Sequence, residues 1–297
     1  MKRLAAKPYL LLTLTALFWA GNMVMGRGIR ADVPPVALAF WRWALALLML
    51  LPFALPDLRR QWPQLKAGWP AVLVLGLLGV GGYNTFAYFA LQHTTATSAT
   101  LLNSFIPIAT IAFAFLFFGR RLARPEAIGV VVSMIGVAVL VSRGELAVLT
   151  GLQLNRGDLW MLLAVGVWGL YTVGLQWRPA GVSPMLLFAA FTVVGLAALA
   201  PVYAWEIASG QHINPTPMAI TGILYVAIFP GFLGYLFYNA GVAAVGPARG
   251  ALFIHLMPVF ATVLAAIFLG ERPYPYHFAG IALVLAGIAL ATRTRAD

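Results

Sequence analysis

Long apolar runs of about 20 residues, the length a membrane-spanning helix needs, alternate with short polar breaks along the chain. They lie near residues 8–26, 35–55, 69–91, 95–118, 125–142, 158–177, 183–206, 217–243, 247–269 and 275–292. Asp32, Val33, Pro34 and Pro35 close the first connection, Pro56 and Asp57 with Arg59 and Arg60 mark the second, and Gly119, Arg120 and Arg121 mark the fourth. The third break, Gln92 to Thr95, is tight and uncharged, which predicts that the third and fourth spans form an antiparallel hairpin. Arg143, Gly144 and Glu145 open the longest loop. Backbone groups in hydrocarbon must be paired internally, and a barrel needs the alternating polarity that these runs lack. The pattern predicts an all-α integral membrane protein of ten transmembrane helices.

Composition strengthens this reading. Of 297 residues, 62% are hydrophobic and 9% charged, where soluble domains carry about 25% charged residues. The lipid bilayer must cover part of this apolar surface, and little chain is left for a soluble domain. The first apolar run is read as a helix, not a leader, because no small-residue cleavage site follows Met25. Cysteine is absent, and His93, His212, His255 and His277 are scattered, so no metal site and no cofactor are expected.

The net charge of +11 raises the question of nucleic acid. The basic residues sit in short loops, however, so they read as a topology signal and no nucleic-acid partner is expected. Twelve Lys and Arg fall on the side of the N-terminus, from Lys2, Arg3 and Lys7 to Arg293 and Arg295. Five fall opposite: Arg27, Arg30, Arg143, Arg156 and Arg272. This bias puts both termini in the cytoplasm, as an even number of spans requires. Trp62, Trp69, Trp160, Trp177 and Trp205 lie near span ends and read as interfacial anchors.

The chain also repeats itself. An offset of 151 residues maps Pro107 on Pro258, Gly119 on Gly270, Arg121 on Arg272, Gly129 on Gly280 and Gly136 on Gly287. An offset of 149 maps Trp19 on Trp168. Two five-helix halves, 8–142 and 158–292, are thus expected around a connecting loop, 143–157. Five is odd, so the second half enters from the opposite side. Inverted repeats suit alternating access, because exchanging the conformations of the halves exchanges the open side.

Leu17-Phe18-Trp19-Ala20-Gly21-Asn22, then Pro34-Pro35 and Phe40-Trp41-Arg42, resemble the first half of an EamA-type member of the drug/metabolite transporter superfamily. Leu269-Gly270-Glu271-Arg272 and the helix from Gly280 to Gly287 resemble that family's final helices. Within the family, the chain is most similar to the YddG-type bacterial aromatic amino-acid exporters. The resemblance implies ten helices, a central cavity, residence in the bacterial inner membrane, and export of small metabolites. A monomer is expected.

Corresponding breaks in two halves point to a transport site. Pro107 and Pro258 interrupt the fourth and ninth spans, with Asn103, Ser104 and His255 nearby. These polar residues either satisfy the carbonyls that the prolines free or line a cavity. Gly79, Gly81 and Gly82 interrupt the third span, and Pro230 and Gly231 the eighth. These positions either hinge or pack closely. Beyond them come Tyr83 and Tyr88, then Tyr235, Tyr238 and Asn239, which share one helical face. Trp19 and Asn22 on the first span, and Trp168 and Tyr171 on the sixth, repeat one spacing. Lipid offers no partner to a Tyr hydroxyl or a Trp N–H, so these faces should turn inward. Arg42 either snorkels outward or faces the cavity and attracts a substrate carboxylate; Arg249 should snorkel.

Aromatic walls with hydroxyls and amides suit amino acids, aromatic and apolar ones in particular. The acidic residues all fall in loops or at span ends, so transport should be passive or weakly proton-coupled, with His255 the one titratable group near a span centre. An exporter of drugs or organic cations is the alternative substrate class. A channel lacks its filter loop, and an enzyme lacks its nucleophile or metal motif, so no enzymatic activity is expected.

Overall fold

The computed structural model describes residues 7–145, 147–148, 155–269 and 274–293. Gly270, Glu271 and Arg272 of the final motif, together with Lys2, Arg3, Arg295 and Asp297, lie outside them. Among the described residues ten helices are long and apolar enough to span a bilayer: α1 (Pro8–Gly28), α2 (Pro35–Ala67), α3 (Trp69–His93), α4 (Ser98–Phe118), α5 (Arg124–Val141), α6 (Arg156–Trp177), α7 (Pro184–Ala208), α8 (Pro217–Val245), α9 (Pro247–Leu264) and α10 (Pro275–Thr292). Among the described residues there is no strand. Below, the face where α1 begins is called proximal and the other distal.

Local chemistry sets the helix ends. Proline occupies the first turn of α1, α2, α7, α8 and α9, where its missing N–H would have had no helical partner. Side chains of Asn155, Ser183 and Thr216 cap α6, α7 and α8. Gly119 ends α4 with φ +61°, a conformation that glycine adopts without strain.

One predicted boundary moves. The second span was expected to stop at Pro56, but α2 runs on through Pro56 and Pro63 to Ala67. Beyond Pro56 the helix keeps an inner side, Gln61 and Leu65, while Arg59 and Arg60 face water. Gln61 Oε1 accepts the Ser183 N–H at 2.6 Å, which pins the extension to α7. The exposed face of the bundle is apolar, with Leu116, Leu48 and Val131 more than half exposed, as a lipid-facing surface requires. The five tryptophans read as anchors are all exposed.

Helix contacts come in matching sets. α6 packs on α3 and α4, and α1 packs on α8 and α9; α2 lies on α7, and α5 on α10. The last pair is the tightest. A Cβ on Gly129 would sit 2.4 Å from the Gly287 carbonyl oxygen, and one on Gly136 would sit 2.8 Å from that of Gly280. Glycine at all four positions lets the two backbones touch.

Candidate functional site

The site begins with two irregular turns. π-Helical segments interrupt α3 at Leu77–Gly82 and α8 at Ala227–Leu233, around the equivalent Gly79 and Pro230. The wider turn frees backbone carbonyls, and both are used. Tyr235 donates its hydroxyl to Gly79 O at 2.6 Å, and Trp19 Nε1 donates to Pro230 O at 3.1 Å. Gly79 is also a close-packing position, since a Cβ there would meet the Tyr171 ring at 2.4 Å.

Between these turns lies an aromatic cluster. Trp168 is fully buried and touches Trp19, Tyr83, Tyr171, Tyr235 and Tyr238, with ring centroids 4.7–5.2 Å apart. Every hydroxyl has a protein partner, as burial demands. Tyr83 donates to Asn103 Oδ1 at 2.8 Å, Asn84 Nδ2 donates to Tyr235 at 2.9 Å, and Tyr238 lies 2.9 Å from Thr172 Oγ1. The predicted inward faces of α1, α3, α6 and α8 therefore meet.

The cluster has two unlike poles. At one, Arg42 is 1% exposed. Its Nη1 donates to Asn22 Oδ1 at 2.8 Å and to the Tyr88 oxygen at 3.0 Å, while Tyr88 donates to Asn22 at 2.9 Å. The guanidinium lies over Trp43 at 5.1 Å and over Tyr235 at 5.8 Å. Arg42 Nε and Trp43 Nε1 are buried without a partner. Of the two orientations open to Arg42, the inward one is found. At the other pole Tyr171 donates to Asn239 Oδ1 at 2.9 Å, beside Phe188 and Phe191.

The break in α4 and α9 forms a separate knot. α4 loosens after Asn103, and a short 3₁₀ turn, Phe253–His255, precedes Pro258 in α9. His255 uses both ring nitrogens, one 2.8 Å from Ser104 O and one 2.7 Å from Ser133 Oγ. A carbonyl of the broken helix is thereby satisfied, and His255 links Ser104 to Ser133, while the Ser104 hydroxyl donates to Leu101 O. Asn103 stays linked to the aromatic cluster through Tyr83.

Arg249 does not snorkel. It is buried, and its Nε donates to Glu126 Oε1 at 2.8 Å. A cation near a helix start needs no path to water when a carboxylate of a neighbouring helix meets it.

Cavities flank the cluster. A distal one of about 580 Å³ is lined by Met23, Met257, Pro258, Tyr276 and His277 among others. At the proximal face a cavity of about 660 Å³ between Arg120, Arg178 and Pro247 adjoins one of about 110 Å³ that reaches Phe188 and Asn239.

Trp43, Asn84, Thr172 and Phe188 belong to the cluster but were not singled out from the sequence. Asn84 had a signal, since it stands 151 residues from its partner Tyr235. Trp43 had only its neighbour Arg42. Among the described residues no three His, Asp or Glu side chains come together as a metal site.

The EamA-like transporter family model matches residues 6–142 and again 155–293. The uncharacterized transporter YyaM of Bacillus subtilis is 24% identical, over 96% of this chain and 93% of that one. An uncharacterized transporter of Archaeoglobus fulgidus is 28% identical over 97% and 98%. A probable terminal-alkyne amino-acid exporter of Streptantibioticus cattleyicolor is 27% identical over 75% and 73%. A crystal structure 22% identical, aligned over 97% of this chain and 96% of its own, shares the fold with a TM-score of 0.77. With both halves matched and ten spanning helices in place, the protein belongs to the EamA-like transporter family and is a multi-pass membrane transporter, not an enzyme.

Proposed function

We propose that this transporter exports amino acids, aromatic and other apolar ones foremost, by alternating access of one central site. The carrying observation is Arg42. It is a buried guanidinium with no acidic partner among the described residues, and its Nε is unpaired. A cation inside the membrane costs about 3 kcal/mol on insertion scales, so an unpaired one marks a binding site. A substrate carboxylate supplies the counter-charge. The rings of Trp19, Trp168 and Tyr235 take an apolar side chain, and the carbonyls and hydroxyls around Asn22 and Tyr88 suit an ammonium. The same cation disfavours organic cations. The Streptantibioticus relative, named for amino-acid export, supports the substrate class.

Two inverted halves, 8–142 and 158–292, supply the mechanism. Gly129 meets Gly287 while Gly136 meets Gly280, the reciprocal pattern of contacts across a two-fold axis. Two hydrogen bonds, Asn84 to Tyr235 and His255 to Ser104, join residues 151 apart, as expected for equivalent positions at that axis. The charge bias supports a cytoplasmic proximal face, and the resemblance to bacterial exporters supports residence in the bacterial inner membrane. Both nitrogens of His255 are engaged, which favours passive transport over tight proton coupling.

Counterflow in liposomes tests this reading. Loading with phenylalanine, methionine or threonine is expected to accelerate uptake of a labelled amino acid. No acceleration with any member of a broad amino-acid panel sinks the substrate class.

A further inference from the structure

The distal cavity has a counterpart at the proximal face, and the two differ. The distal one, about 580 Å³, is lined by His277, Leu140 and Thr100. The equivalent place, where Glu126 and Ala291 stand 151 residues from His277 and Leu140, is also lined by Arg249 and holds a gap of only about 10 Å³. The buried ion pair of Glu126 with Arg249 fills it, 2.8 Å from Nε to Oε1. By the same offset the counterparts of Glu126 and Arg249 are His277 and Ser98.

Glu126 and His277 already perform one common task. Glu126 Oε2 accepts the N–H of Ala123 at 3.2 Å, and His277 Nδ1 accepts the N–H of Tyr274 at 2.9 Å. Each caps the start of its own helix with one atom and keeps a second atom for the neighbouring helix. In Glu126 that second atom holds Arg249. In His277 it is Nε2, which carries the ring proton because Nδ1 accepts, and which has no hydrogen-bond partner among the described residues.

We infer that Glu126–Arg249 is a latch closing the proximal side, and that His277 and Ser98 form the matching latch that closes the distal side when the proximal side opens. This rests on the alternating-access reading above. The latches are unequal. A charge-assisted bond is roughly twice as strong as the neutral imidazole–hydroxyl bond available to His277 and Ser98. The empty carrier therefore rests with the crevice at Glu126 and Arg249 shut and the distal cavity at His277 open.

The chain has no cysteine, so introduced thiols can report directly. Val130→Cys reports on the proximal crevice and Thr262→Cys on the distal cavity, each labelled with a membrane-impermeant maleimide. Glu126→Gln is expected to raise labelling at the first about tenfold and to lower it at the second, a shift of the two-state balance. Exchange of the charges, Glu126→Arg with Arg249→Glu, is expected to restore the native ratio. In the otherwise native chain, Ser98→Cys with His277→Cys is expected to cross-link on oxidation and to arrest transport until reduced. Unchanged labelling in a folded Glu126→Gln protein overturns the proximal latch. Failure to cross-link in a chain that still transports overturns the distal one, and this arm stands even where Glu126→Gln does not fold. Labelling needs no substrate, so an error in the amino-acid assignment leaves these outcomes untouched.

Discussion

At one pole of the site Tyr88 donates to Asn22, and at the other Tyr171 donates to Asn239; both bonds measure 2.9 Å. The residues are equivalent in the two halves, Asn22 with Tyr171 and Tyr88 with Asn239, so the same bond is made with donor and acceptor exchanged. What surrounds the bonds differs. The first carries Arg42. At the place 149 residues on, the second half has Phe191, buried among apolar neighbours. The repeat thus supplies a symmetric frame, and the distinction between a charged and an apolar end arises where the repeat is broken. On the amino-acid reading proposed above, a zwitterion with an apolar side chain would lie with its carboxylate at the Arg42 pole.

The strongest test removes the cation. Arg42→Met is expected to lower counterflow about a hundredfold, the loss of one buried charge contact worth roughly 3 kcal/mol. The same substitution should raise thermal stability by about 1–3 kcal/mol, because it deletes an uncompensated buried charge and leaves Asn22 and Tyr88 bonded to each other. Transport measured in liposomes and melting of the purified protein give the two signs. Loss of both together would assign Arg42 to the scaffold instead of the site.

How much of this was legible in the sequence follows from the range of each interaction. Helical spacing within one span placed Trp19 with Asn22 and Tyr235 with Tyr238 and Asn239 on inward faces, and those faces meet. The offset paired Gly79 with Pro230, but hydrophobic pattern carries no hydrogen-bond register, so the π-turns there were not legible. Arg249 was misjudged because its partner, Glu126, stands 123 residues away in the chain. Pro56 was read as a stop, although past the membrane surface a helix with one inner side can continue in water. Trp43 was hidden because only its place beside Arg42 and Tyr235 gives it a role.

A finer test weighs the two hydroxyls against each other. Tyr88→Phe removes an acceptor from Arg42 and a donor from Asn22, so transport should fall about tenfold, near 1.4 kcal/mol. Tyr171→Phe leaves Asn239, which is only half-buried and can find water, so a loss of about two- to threefold is expected. Equal losses measured side by side in liposomes would mean that the charged pole has no special weight.

The smallest expected effect is at Phe191, the counterpart of Arg42. Phe191→Leu keeps the pole apolar but shortens it beside the cavity of about 110 Å³ that Phe188 and Asn239 also line. Leucine leaves more room and a softer wall, so bulky side chains should gain on small ones by about threefold, less than 1 kcal/mol. Dependence on the substrate carboxylate should not change, because Arg42 and its partners at the other pole are untouched. Competition by amino acids against their carboxyl-amidated forms measures both quantities in one assay. If Phe191→Leu altered the preference for the carboxylate and not the ranking by size, the charged and apolar ends would have to be assigned the other way round.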